Sequence, residues 1–204
     1  MFQSVKQMKE LFINSSFNFI NKHKELDHYN EVKIKYGLEV MYSFITKTIA
    51  ILVMSLIFGF IFENIFVLIC YGLLRTFAHG MHARSNKNCW LSTMTTYLLT
   101  GLFCKYVHLS KSILIFTSLL TLLVVVIFAP SDTIYRPIRN KAKRIRLKIF
   151  SIISVLLLST LLLYSNFSYK NSIVVAFILC VIAINPITYK IFKMPRDNYK
   201  NNLG

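Results

Sequence analysis

The residues in this chain that could do chemistry gather in one polar stretch, Ala78-His79-Gly80-Met81-His82-Ala83-Arg84-Ser85-Asn86-Lys87-Asn88-Cys89-Trp90. Two of the five histidines fall here, beside Cys89. The other cysteines, Cys70, Cys104 and Cys180, lie inside apolar runs, where a thiol is usually a small hydrophobe. A thiol and an imidazole in one segment suggest a nucleophile with its base. On one straight helix, residues seven apart such as His82 and Cys89 would be separated by ~10.5 Å of rise, too far for proton transfer. The pair can meet only if the chain bends between them, and Ser85, Asn86 and Asn88 are turn- and cap-forming residues. Asn88 is the expected N-cap of the next helix, which places Cys89 in its first turn. There the positive end of the helix dipole favours a thiolate. Arg84 and Lys87 act in the same direction if close, and Gly80 lets backbone pass tightly beside a site. On residue types alone, two other readings stay open. One is an incidental Cys and His near the end of a span. The other is a metal held by His79, His82 and Cys89, although no Asp, Glu or further Cys lies nearby to complete the shell.

The elements that position this stretch are membrane helices. Of 204 residues, 55% are hydrophobic and 16% charged, with a mean hydropathy of +0.54. A soluble domain has about 25% charged residues, and a soluble core of this size could not bury so much apolar surface. The composition excludes disorder and collagen-like sequence. What remains is an all-α polytopic membrane protein, read as one membrane domain over residues 1–204 with no internal repeat. No cleavable signal peptide is expected, since Lys6, Lys9 and Glu10 interrupt the first twenty residues. Val5, Met8, Phe12, Ser15 and Phe19 instead recur at helical spacing, the pattern of an amphipathic helix lying on a membrane surface or packed on the protein. Residues 1–40 form this interfacial region, and 41–192 hold about six transmembrane helices. The spans are expected at Met41–Phe62, Ile65–Ala78, Cys89–Cys104, Ser112–Ala129, Ile149–Phe167 and Ser172–Tyr189. The first two turn near Glu63–Asn64. Between the spans lie a 79–88 loop carrying the His/Cys stretch and a basic 131–148 loop. Residues 193–204 form a tail.

Charge sets the orientation. With the N-terminus in the cytoplasm, 21 Lys and Arg fall on the inner side, counting Lys47 and Arg75 toward the inner ends of their spans, and three, Lys105, Lys111 and Lys170, fall on the outer side. This asymmetry predicts both termini inside and puts 79–88 and 131–148 on the cytoplasmic face. The formal net charge of +16 is therefore read as topogenic and lipid-contacting, with the bilayer as partner and no nucleic acid.

Several longer stretches add a family resemblance. Leu26-Asp27-His28 is followed by Lys35-Tyr36-Gly37-Leu38-Glu39; Arg75 precedes the His-Gly-Met-His-Ala run, with Cys89 seven residues after His82. Phe128-Ala129-Pro130 leads into Ser131-Asp132-Thr133 and a basic loop, and the tail reads Ile184-Asn185-Pro186-Ile187-Thr188-Tyr189-Lys190. The chain resembles AgrB, the membrane cysteine endopeptidase of Gram-positive peptide quorum sensing, over nearly its whole length. The resemblance implies that His82 and Cys89 are the catalytic pair. It implies no cofactor and no metal. The implied substrate is an AgrD-like precursor peptide with an amphipathic N-terminal helix, a central signal sequence and a charged tail. Cys89 would form a thioester with the signal sequence, the tail would leave, and a cysteine of the substrate would close a thiolactone ring. Substrate binding is expected at His79, Arg75, Arg139, Lys141 and Lys143. His79, Asn86, Glu39 and Asp132 are the candidates for orienting His82. The family is described as dimeric; no interface is marked in this sequence. The competing classes are a membrane transporter, which predicts charges within the bundle, and a non-catalytic assembly protein, which predicts that Cys89 is dispensable. Glu63 is nearly the only such charge.

Overall fold

The computed structural model describes residues 2–23, 27–81, 86–133, 137–164 and 169–196. The chain is all-α: α1 (Phe2–His23), α2 (His28–Phe58), α3 (Ile61–Ala78), α4 (Asn86–Tyr106), α5 (Lys111–Phe128), α6 (Lys141–Tyr164), α7 (Lys170–Ile184) and the short α8 (Pro186–Ile191). An isolated β-bridge links His79 and Ser131. Helices α2, α3, α5 and α6 are long and apolar enough to cross a membrane. Helix α7 is apolar but has 15 residues. Helix α4 has 21 residues, but Ser92, Thr93, Thr95, Thr96 and Thr100 make it less apolar. The protein is thus a polytopic helical membrane protein, with helices at all six expected positions.

Two compact units divide within α2, at Val53. In the first, Asp27 caps α2 by accepting from the Asn30 amide at 3.2 Å. Helix α1 lies antiparallel to the first half of α2. Lys9 pairs with Glu39, the Phe12 and Tyr42 rings are 5.4 Å apart, and Lys35 Nζ sits 4.5 Å from the Phe17 ring centre. Phe17 and Leu38 are buried, whereas Met8, Leu11 and Phe19 are exposed. The amphipathic α1 therefore packs one apolar edge on α2 and leaves the other open.

The second unit is built around α7, where Ile173, Val174, Ala176, Phe177, Cys180 and Ile184 join the core shared with α3, α5 and α6. Burial from water cannot drive association of helices already in lipid, so close packing must. Ser172, Ala176, Cys180 and Ala183, all buried in α7, recur at helical spacing and let neighbouring backbones approach. Helix α5 shows the same logic. Leu114, Ser118, Thr121 and Val125 face inward, while Phe116, Leu119, Leu123 and Ile127 are exposed. Buried hydroxyls bond within their own helices: Ser118 to the Leu114 carbonyl at 2.9 Å, Thr121 to Thr117 at 2.7 Å, Ser151 to Leu147 at 2.7 Å and Ser154 to Phe150 at 2.7 Å. No hydroxyl of this set needs water, as a membrane interior requires.

The helices alternate between two ends. At one, Phe60 at the turn is fully buried, and the Phe60 amide donates to the Ser55 carbonyl at 3.0 Å. Lys105 Nζ donates to the Gly59 carbonyl at 2.9 Å, Asn171 to the Cys104 and Val107 carbonyls, and Ser172 to the Glu63 carbonyl at 3.1 Å. The turn therefore falls at Gly59–Phe60, not at Glu63–Asn64. Asn64 is buried in α3 and donates to Ser55 Oγ at 2.7 Å and the Tyr97 carbonyl at 3.0 Å. Two further boundaries move. The Asn185-Pro186 pair ends α7 at Ile184, with Asn185 capping α8 through the Ile187 amide at 2.9 Å. The second half of the basic loop is already helix from Lys141. The other end of this unit carries the polar stretch.

Candidate active site

Helix α3 stops where Ala78 gives way to His79, whose φ of 57° lies in a region that L-residues rarely occupy. Gly80 follows at φ 117°. The turn aligns the His79–Met81 segment with two partners. On one side, the Ser131 amide donates to the Ala78 carbonyl at 3.0 Å and the Gly80 amide to the Ser131 carbonyl at 2.9 Å. On the other, the Met81 amide donates to the Ala183 carbonyl at 2.9 Å, near the end of α7. Ser131 Oγ reaches the Ile184 carbonyl at 3.1 Å. Three chain segments that follow or end α3, α5 and α7 thus meet at one junction. Tyr189 of α8 supports it from outside, its hydroxyl donating to the Asp132 carbonyl at 3.1 Å. Asp132 and Ser131 are both 2% exposed.

Arg75 closes the junction. It sits one turn before the end of α3, and its Nη1 donates to the His79 carbonyl at 2.6 Å while Nη2 donates to the Met81 carbonyl. A Cβ on Gly80 would collide with Arg75 Nη1 and stand 2.6 Å from the Ala183 carbonyl oxygen. Only glycine fits between them, for both steric and conformational reasons.

Helix α4 begins at Asn86, so Asn88 lies inside the helix rather than capping it, and Cys89 is the fourth residue. Cys89 still sits at the end of the first turn, close to the positive end of the helix dipole. Thr93 Oγ1 and Ser92 Oγ both donate to the Cys89 carbonyl, at 2.6 and 3.1 Å. Cys89 is half-buried and makes no disulfide. Helices α3, α4 and α7 pack against one another in this unit. His82 and Arg84 lie outside the described residues.

The remaining expected site residues are distributed as follows. His79 is half-buried, with its Nδ1 3.3 Å from the Phe77 carbonyl oxygen. Arg139, Lys141 and Lys143 are exposed at the start of α6, where Asn140 caps the helix by accepting from the Lys143 amide at 3.2 Å. Arg136 of the same basic run lies outside the described residues. Glu39 is paired with Lys9 in the first unit. Among the described residues no three His, Cys, Asp or Glu side chains form a metal shell. Sequence reasoning missed Ser131 and Tyr189, the two residues that tie the junction to α7 and α8; the Ser131-Asp132 pair after the α5 proline was the signal available.

Comparison with known proteins decides the family. A family model, accessory gene regulator B, matches residues 13–184. The chain belongs to the AgrB family. It is 31% identical over 175 residues to an AgrB-like protein of Listeria innocua serovar 6a, covering 85% of this chain and 86% of that one. It is 28% identical over 181 residues to an AgrB-like protein of Clostridium acetobutylicum, covering 88% and 87%. Accessory gene regulator protein B of Staphylococcus aureus is 28% identical over 177 residues, covering 87% of this chain and 94% of that protein. No solved structure matches. This AgrB-family chain is accordingly an accessory gene regulator protein of the membrane, a class consistent with quorum sensing.

Proposed function

We propose that this AgrB-family protein is a cysteine endopeptidase that removes the C-terminal tail of a quorum-sensing peptide precursor. Cys89 is the nucleophile and His82 its base. The observation that carries the reading is the location of Cys89: first turn of α4, half-buried, at the end of the bundle where the His79–Met81 segment leads into residue 82. His82 takes the thiol proton. The thiolate attacks the carbonyl at the end of the signal sequence, and the C–N bond breaks as the proton passes to the leaving amine of the tail. The product is an acyl-enzyme thioester. A cysteine of the substrate then attacks the thioester, forming a thiolactone and restoring the Cys89 thiol. Exchange of one thioester for another is nearly isoenergetic, so ring closure needs no ATP. Making a thioester from an amide is uphill, so loss of the tail must draw the reaction forward. A water-poor site at the membrane boundary protects the thioester from hydrolysis.

The remaining roles follow from chemistry. The exposed cations Arg139, Lys141 and Lys143 receive the charged tail, and His79 contacts the substrate. The catalytic end and both termini face the cytoplasm. The direct test incubates purified full-length protein with a synthetic cysteine-bearing precursor and searches by mass spectrometry for an acyl adduct on Cys89. An adduct on Cys89 with release of the tail is expected. Tail release without any dependence on Cys89 would overturn the reading, and no processing at all would favour an assembly or transport role.

A further inference from the structure

We propose that Arg75 is a positioning residue for His82, and that its guanidinium acts on the His79–Met81 backbone rather than on substrate. The inference rests on the reading of His82 and Cys89 as a catalytic pair. Arg75 spends two of its donor groups on carbonyls of its own chain, Nη1 on His79 and Nη2 on Met81. Both bonds carry the donor's charge, which makes them roughly twice as strong as neutral ones. The fork is planar, so two carbonyls held at once fix an orientation as well as a distance. The Met81 carbonyl is the telling partner. It belongs to the peptide unit that joins Met81 to His82, and a peptide unit is planar. Holding that oxygen, while the Met81 amide is held by the Ala183 carbonyl at 2.9 Å, fixes the backbone of Met81, the residue that precedes His82. The segment needs such a restraint. It leaves α3 through an uncommon backbone geometry at His79, and α4 with Cys89 begins only at Asn86.

A substrate-binding arginine predicts something different. Its loss would raise KM and leave the reactivity of Cys89 toward a small reagent unchanged. A positioning arginine predicts a fall in kcat with little change in KM, and a Cys89 that behaves as if His82 were missing. The experiment uses full-length protein with Cys70, Cys104 and Cys180 changed to Ala, so that iodoacetamide reports on Cys89 alone. Alkylation rates are measured from pH 5 to 10 for the parent, Arg75→Gln, Arg75→Lys, His82→Ala and the Arg75→Gln/His82→Ala double variant. At pH 7, His82→Ala and Arg75→Gln should each be slower by about tenfold, because the thiolate is the species alkylated and loses its imidazolium partner. Arg75→Lys, which reaches one carbonyl, should fall between. The double variant should be no slower than His82→Ala. Gly80→Ala supplies a second arm: its Cβ would meet both Arg75 Nη1 and the Ala183 carbonyl, so it displaces the same His79–Met81 segment while keeping the guanidinium charge, and it too should be slower than the parent. If His82→Ala is slow while Gly80→Ala and any folded Arg75 variant react like the parent, the positioning role is wrong. It is equally wrong if losses in the double variant multiply, since the charge would then act on the thiol directly. If His82→Ala itself reacts and cleaves like the parent, it is the catalytic pair that fails.

Discussion

Cys89 differs from Cys70 and Cys180 in exposure as well as in its polar sequence neighbours. Cys70 and Cys180 are 4% and 2% exposed within the core, and burial among apolar side chains gives a thiol no route to a substrate. Cys89 is half-buried at a helix start beside a polar segment. Cys89→Ala should therefore abolish both tail release and ring closure, since both steps pass through its sulfur. Cys89→Ser should be nearly as inactive, because a hydroxyl is far harder to deprotonate than a thiol. His82→Ala should be severe and His79→Ala milder, since the base is lost only in the first. Cys70→Ala, Cys104→Ala and Cys180→Ala should keep activity and lose on the order of 1 kcal/mol each in packing. Trapped acyl adduct measured across this set decides the matter: an adduct in Cys89→Ala, or its disappearance from the triple variant with folded protein, would reassign the nucleophile.

At the scale of elements, the close approach of Phe60 and Gly101 invites a test of the fold. A Cβ on Gly101 would stand 2.9 Å from Phe60 Cγ, and Phe60 is fully buried. Overpacking of this kind costs about 1–3 kcal/mol, more than the gain from removing a helix glycine. Gly101→Ala should lower the melting temperature in detergent, and Phe60→Leu added to it should recover part of the loss; an unchanged melting temperature would mean that the turn is not packed on α4. The start of α6 makes a second case. Lys141 and Lys143 occupy the first turn of a helix, where positive charge opposes the dipole. The proposed attraction to an acidic tail is screened beyond ~8 Å at physiological salt. Changing Arg139, Lys141 and Lys143 to Gln should raise KM for tail-bearing substrate and leave kcat within a few-fold; unchanged kinetics would leave only a topogenic role.

These elements also show what the sequence could and could not disclose. Apolar runs locate α2 to α7, because length and hydropathy are local properties. The turn between α2 and α3 is misplaced by sequence because Asn64 is a turn-favouring residue whose actual work is to bond Ser55 and the Tyr97 carbonyl. The break at Asn185-Pro186 is readable from proline and cap chemistry, but the apolar run before it masks that signal. In the site, the Cys89 helix start is legible. The junction is not, since it depends on Ala78, Ser131 and Ala183 meeting from distant parts of the chain.

Taken as a whole, the second unit sorts its polar contacts to two ends, and orientation follows from which charges lie at each. Lys105 and Asn171 bond across the end that holds Gly59 and Glu63. The other end holds the His79–Met81 segment, Ser131 and Tyr189, and its flanking segments carry most of the basic residues. With 21 cations assigned to one side and three to the other, the positive-inside rule predicts that the junction faces the cytoplasm. Single cysteines introduced into a chain lacking the native four, probed with an impermeant maleimide on intact cells, test the arrangement. Lys111→Cys and Lys170→Cys should label from outside; Lys143→Cys and Lys190→Cys should label only after the membrane is opened. Asn64 is unsuitable as a reporter because its side chain is fully buried. Labelling of Lys143→Cys in intact cells would invert the topology. It would place the proposed cleavage outside the cell, where a precursor made in the cytoplasm would have to be exported before its tail was removed.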